Sequence, residues 1–190
     1  MVKLTELDRL LLDRWQDMIG LQDGFEELQD RLARRLDGLV RALEPWAAAQ
    51  GYSLDLDKKH AEVLLTKETW RDAVGSPRVS LTVGGLYPYG YRRVVSEHPY
   101  LWIYTPSLND GAVEAFKENL SVLLGPDLLG WTHDECDDDG PFGRYIETHT
   151  DVERAALASD DEALRSFVQT QATVLMALGP HIETALLSPR

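Results

Sequence analysis

Tyr100-Leu101-Trp102-Ile103-Tyr104 is the stretch on which the fold turns. It is a dense run of aromatic and branched side chains bounded by Pro99 and Pro106, and it reads as a β-strand. Tyr100, Trp102 and Tyr104 share one face, and Leu101 and Ile103 share the other.

Working upstream, Arg78-Val79-Ser80-Leu81-Thr82-Val83 alternates apolar and polar residues. Gly75-Ser76-Pro77 precedes it and Gly84-Gly85 follows it. Tyr52 to Asp57 alternates in the same way and ends at the polar turn Lys58-Lys59. His60 to Thr66 then places Ala61, Val63 and Leu65 on one face. Short connections between successive strands predict an antiparallel meander.

Downstream, Asp110 to Leu124 has helical spacing. Val113, Phe116, Leu120, Leu123 and Leu124 form its stripe, Ser107 or Asn109 supplies a cap, and Gly125-Pro126 is a stop. Arg144 to His149 reads as a further strand. Ser159-Asp160-Asp161-Glu162 matches a capping box and opens a helix with Leu164, Phe167, Val168, Gln171, Val174, Leu175 and Leu178. Gly179-Pro180 interrupts that helix, and Ile182 to Leu187 adds further helical turns. Strands followed by segregated helices define an α+β domain, expected over residues 51–190.

Residues 1–50 are expected to form a separate helical arm. Leu4, Leu7, Leu11, Trp15, Met18, Leu21, Phe25, Leu28, Leu32, Leu36, Leu39, Leu43 and Trp46 recur at steps of three or four with a mean of 3.5. That is the coiled-coil period. Glu27/Arg31 and Asp30/Arg34 have the four-residue spacing of exposed helix pairs. Pro45 is expected to end or kink the helix, and Gly51 to stop it. Gly20-Leu21-Gln22-Asp23-Gly24 is read as a turn making a helical hairpin, in preference to one helix roughly 63 Å long. The leucine stripe has two uses. It packs on the chain's own sheet, or it forms a seam for self-association or a partner helix.

Among 190 residues, 19 basic side chains face 32 acidic ones, giving a net charge of −13. The charge is uneven: −3 over residues 1–50, +1 over 51–105 and −11 over 106–190. An apolar fraction of 44% excludes a disordered chain, and one Cys excludes a disulfide scaffold. No stretch approaches the ~18 apolar residues of a membrane helix, so no membrane partner is expected. The N-terminus lacks the pattern of a secretory signal, and a cytoplasmic location is expected. The acidic balance disfavours nucleic-acid binding.

The densest polar cluster is His133-Asp134-Glu135-Cys136-Asp137-Asp138-Asp139-Gly140, with His149 downstream. His133, Asp137 and Asp139 are its candidate ligands for a divalent cation. The EF-hand pattern fails, because with Gly140 as the turn glycine Ile146 stands where a Glu is needed. The His/Cys spacing fits no standard zinc module. Acidic neighbours disfavour a thiolate at Cys136. A charge run of this kind also reads simply as a solvated loop. Asp57-Lys58-Lys59 falls in a turn, no lysine follows Lys117, and a nuclease motif starting at Asp127 is therefore excluded. No phosphate-loop or nucleophile-elbow motif is present, and His60, His98 and His181 are scattered.

The middle segment holds half of the sixteen aromatics. Tyr87, Tyr89 and Tyr91 alternate ahead of Arg92 and Arg93, and with Tyr100, Trp102 and Tyr104 they form a second candidate contact surface. The competing reading is that the rings cover the core while the arginines lie alongside.

Together these features predict a non-catalytic interaction or regulatory module. It self-associates as a homodimer or binds a protein partner through Leu28, Leu32, Leu36, Leu39 and Leu43, with no cofactor. Two alternatives stand beside it. One is a metal-dependent hydrolase using the His133–Asp139 loop, with a divalent cation as cofactor. The other is an acidic inhibitor that mimics nucleic acid.

Overall fold

Five short strands form one antiparallel sheet in the order β1-β2-β3-β4-β5. They are β1 (Ser53–Asp57), β2 (Glu62–Thr66), β3 (Ser80–Gly84), β4 (Tyr100–Tyr104) and β5 (Phe142–Tyr145). The structure, a computed structural model, describes residues 14–58, 60–86, 99–125, 130–131, 139–146, 153, 157 and 159–187. The α+β class and the meander agree with the alternation in the sequence. Strand β5 is displaced from the expected Arg144–His149 to Phe142–Tyr145. Phe142 is buried in the core, and Gly143 pairs with Trp102, so the strand begins two residues early. His149 lies outside the described residues.

Among the described residues, the N-terminal segment forms one helix, α1 (Trp15–Ala48), of 34 residues. No hairpin forms at Gly20–Gly24. A single glycine costs about 1 kcal/mol in a helix interior, which a long helix absorbs. Pro45 does not end the helix either; it sits in the last turn, and the Ala49 amide still bonds the Pro45 carbonyl at 3.2 Å. Termination comes at Gly51, whose φ of +79° lies in the left-handed region. The chain then turns straight into β1, with the Tyr52 amide bonded to the Ala47 carbonyl at 3.0 Å.

Among the described residues, three further α-helices follow β4: α2 (Asp110–Leu124), α3 (Asp161–Met176) and α4 (Gly179–Leu187). Asn109 caps α2, as its position predicts, accepting from the Ala112 amide at 3.0 Å. The cap of α3 is Asp160 and not Ser159; its carboxylate accepts from the amides of Glu162 at 2.9 Å and Ala163 at 3.0 Å. Pro180 occupies the first turn of α4, where its missing N–H costs nothing.

The sheet has two different faces. Val63, Leu65, Leu81, Val83, Leu101, Ile103 and Phe142 share one core cluster with Leu36 and Leu43 of α1, Phe116 and Leu120 of α2, Leu164, Val168 and Leu175 of α3, and Ile182 of α4. The helices therefore cover one side of the sheet. The arm is not wholly separate from the domain, because α1 contributes Leu32 to Ala47 to that core. Among the described residues, no helix is long and apolar enough to cross a membrane.

Candidate functional site

The second face of the sheet carries the polar chemistry. Strand alternation puts Asp57, Glu62, Thr82, Tyr100, Trp102, Tyr104 and Tyr145 on the side away from the leucine core. Asp57 pairs across β1 and β2 with Glu62, Gly84 pairs with Tyr100, and Tyr100 pairs with Tyr145. Thr82, Trp102 and Gly143 form the neighbouring row.

Glycine shapes this face. A Cβ at Gly84 would fall inside the ring of Tyr100, and one at Gly143 inside the ring of Trp102. Each ring lies down on bare backbone because the facing strand offers no side chain. Trp102 anchors further by donating its ring N–H to the Gly140 carbonyl at 3.0 Å. The rings of Tyr100, Trp102 and Tyr145 meet edge to face with centroids 5.8–6.2 Å apart, a favourable aromatic arrangement.

This aromatic layer shields Glu62, which is only 5% exposed. Tyr100 donates its hydroxyl to Glu62 Oε1 at 2.6 Å, and Tyr104 donates to the same oxygen at 3.3 Å. Burial raises the Glu62 carboxyl above its ordinary range, and the bond from Tyr100 only partly opposes that shift. Burial and the adjacent Glu62 carboxylate drive the Tyr100 phenol far up.

The turn from β1 to β2 adds two more ligating groups. His60 Nδ1 lies 2.8 Å from Asp57 Oδ2, and the His60 amide donates to Asp57 Oδ1 at 3.2 Å. Ala61 follows with φ +55°, a left-handed conformation uncommon for alanine. One ligand atom from each of Asp57, His60 and Glu62 lies within 4.8 Å of the others. Asp57 and His60 are half-buried to exposed and Glu62 is buried, so the group opens on solvent and closes on the aromatic wall. Its chemistry is that of a small polar centre able to hold a proton or a cation.

A second polar cluster is structural. Lys67 Nζ lies 2.8 Å from Glu183 Oε1 and 4.7 Å over the Tyr52 ring, while Tyr52 donates to the Met176 carbonyl at 3.1 Å. Burial lowers the Lys67 pKa, but Glu183 and Tyr52 together outweigh it and the ammonium is held above its ordinary value. This cluster ties the end of α3 and α4 to the residues that flank β1 and β2.

The sequence-derived candidates fall into three groups. Leu32, Leu36, Leu39 and Leu43 are buried in the chain's own core, so as contact residues they are corrected: their side chains are already in use. Leu28, at 38% exposure, marks where that burial ends. Trp102 is also corrected as a surface contact, because it is 7% exposed and pressed onto Gly143. Tyr87, Tyr89, Tyr91, Arg92, Arg93, His133 and Asp137 lie outside the described residues. Asp139 is exposed, and its carbonyl accepts from the Thr105 amide at 2.7 Å. Sequence reading passed over Asp57, His60 and Glu62. Their signal was an Asp-x-x-His-x-Glu spacing across a predicted hairpin turn. The phenols that bury Glu62 lie 38 and 42 residues further along the chain.

Compared with family models, curated proteins and solved structures, the chain matches none of them.

Proposed function

We propose that this chain is a protein-interaction module that pairs with a second copy of itself through the N-terminal half of α1. One observation carries the reading. The helix runs unbroken from Trp15 to Ala48, and among the described residues its contribution to the core begins at Leu32. The residues before Leu32 extend over roughly 25 Å at 1.5 Å per residue. Asp17, Gly20, Gly24, Glu27, Asp30 and Arg31 in this half are all exposed. An added Cβ at Gly20 or Gly24 meets nothing within 4 Å. A helical extension with two glycines is not stable on propensity alone; helices in proteins draw most of their stability from packing an apolar face.

The sequence supplies that face. Met18, Leu21, Phe25 and Leu28 follow steps of three, four and three, a heptad frame with Met18 and Phe25 at a and Leu21 and Leu28 at d. The flanking e and g positions hold Asp17, Gln22, Gly24, Gln29 and Arg31. No run of like charge flanks the seam, and Asp23, Glu26, Glu27 and Asp30 fall at b, c and f. That distribution lets two copies of an acidic chain approach. A basic partner would call for acidic residues beside the seam.

The test is the solution mass of the full chain beside a Leu21→Glu variant. The expected result is twice the chain mass of 21.4 kDa for the native protein and a single chain for the variant, with the β-sheet circular dichroism unchanged. A native protein of single-chain mass overturns the reading.

A further inference from the structure

We propose that Asp57, His60 and Glu62 form a binding site for one divalent first-row cation of the zinc type. The three residues come from one six-residue segment, and their ligand atoms lie within 4.8 Å of one another. Ligand atoms around a zinc ion stand roughly 3–3.5 Å apart, given bond lengths of about 2.0–2.2 Å. His60 Nδ1 and Asp57 Oδ2, at 2.8 Å, are already near that spacing.

Two observations beyond the proximity of these groups point to a cation. Asp57 and Glu62 are direct cross-strand partners. Like charges placed directly opposite on a sheet destabilise it; His60 Nδ1 stands 2.8 Å from Asp57, and a cation shared among the three groups would relieve that repulsion. Glu62 is also buried and held at Oε1 by the hydroxyls of Tyr100 and Tyr104. Phenols are neutral donors: they orient a carboxylate without neutralising it. This is the outer layer that metal-binding carboxylates carry, which fixes the ligand for the ion.

The donor set selects the ion. One imidazole and two carboxylates, with no thiolate, suit zinc and exclude soft monovalent copper. Three protein ligands with a half-exposed Asp57 and His60 leave a coordination position for water and a route of entry.

The probe is zinc sulfate titrated calorimetrically into the metal-stripped full chain. Variants His60→Ala, Asp57→Asn, Tyr100→Phe and the pair Asp137→Asn/Asp139→Asn are titrated alongside. The expected result is one site per chain that weakens at least tenfold in His60→Ala and Asp57→Asn. Tyr100→Phe weakens it by about tenfold or more through loss of the orienting hydroxyl. The Asp137/Asp139 pair leaves it unchanged. Absence of a saturable site overturns the proposal, as does affinity indifferent to His60→Ala or lost only in the Asp137/Asp139 pair. Asp57 also bonds the turn backbone, so should Asp57→Asn misfold, His60→Ala decides, since its side chain is exposed and outside the core.

Discussion

The two halves of α1 share one spacing of apolar residues and have different surroundings. From Leu32 onward the stripe is buried among the leucines and valines of the sheet. Before Leu32 the same periodicity continues along an unbroken helix whose described side chains are exposed. Periodicity therefore identifies a helix and the side that will be buried, but not the surface that buries it. Among the described residues, the core takes up the stripe from Leu32 onward. The remainder is the part of the ladder on which our functional proposal rests.

Substitutions that treat the halves alike should separate them. Leu36, 1% exposed, lies in the covered half, and Leu36→Ala should lower unfolding free energy by about 2–5 kcal/mol through lost burial and a cavity. The equivalent Leu21→Ala should leave single-chain stability nearly intact and weaken dimerisation, read as a concentration-dependent melting temperature. Equal losses of concentration-independent stability at both positions would erase the distinction.

The glycines sharpen the comparison at a smaller scale. Gly20→Ala and Gly24→Ala should each stabilise the exposed half by up to about 1 kcal/mol, since neither Cβ meets anything in its own chain. Thermal unfolding measures this directly. A loss at Gly24 with no loss at Gly20 would place the partner helix against the g position.

A third contrast concerns the two sheet faces and is graded with pH. The folded Glu62 carboxyl titrates above its unfolded value. Its protonated form therefore costs nothing at low pH, and stability falls as pH rises through the elevated folded pKa. Glu62→Gln keeps an acceptor for Tyr100 and removes that titration. In chelator, native and variant melting temperatures should diverge in the variant's favour as pH increases from acid toward neutral; parallel curves would contradict the assignment. The smallest effect belongs to Arg31→Ala. Its pair with Glu27, at 3.6 Å and more than half exposed on both sides, should contribute only a few tenths of a kcal/mol in urea unfolding of the monomeric Leu21→Glu background.

Much of the fold was legible locally. Alternation located β1 to β4 within a residue or two, and Asn109 announced the start of α2. The errors share a cause. The glycines at 20 and 24 and the proline at 45 are local breakers, and in α1 cooperative helix formation and the burial of Leu43 and Ala47 outweigh them. Strand β5 was misplaced because Gly143 has low strand propensity. Its place in the sheet depends on the Trp102 ring that covers it, forty-one residues away in sequence. The candidate cation site was hidden for a similar reason. Asp57 and His60 look like ordinary turn residues, and nothing near Glu62 in sequence reveals that two distant tyrosines bury it.

Hydrogen exchange along α1, followed as a function of protein concentration, tests the central claim most directly. Pairing through the exposed half predicts that amides of residues 15–31 gain protection as concentration rises, while those of residues 32–48 are protected throughout. Exchange over residues 15–31 that stays fast and indifferent to concentration would contradict it.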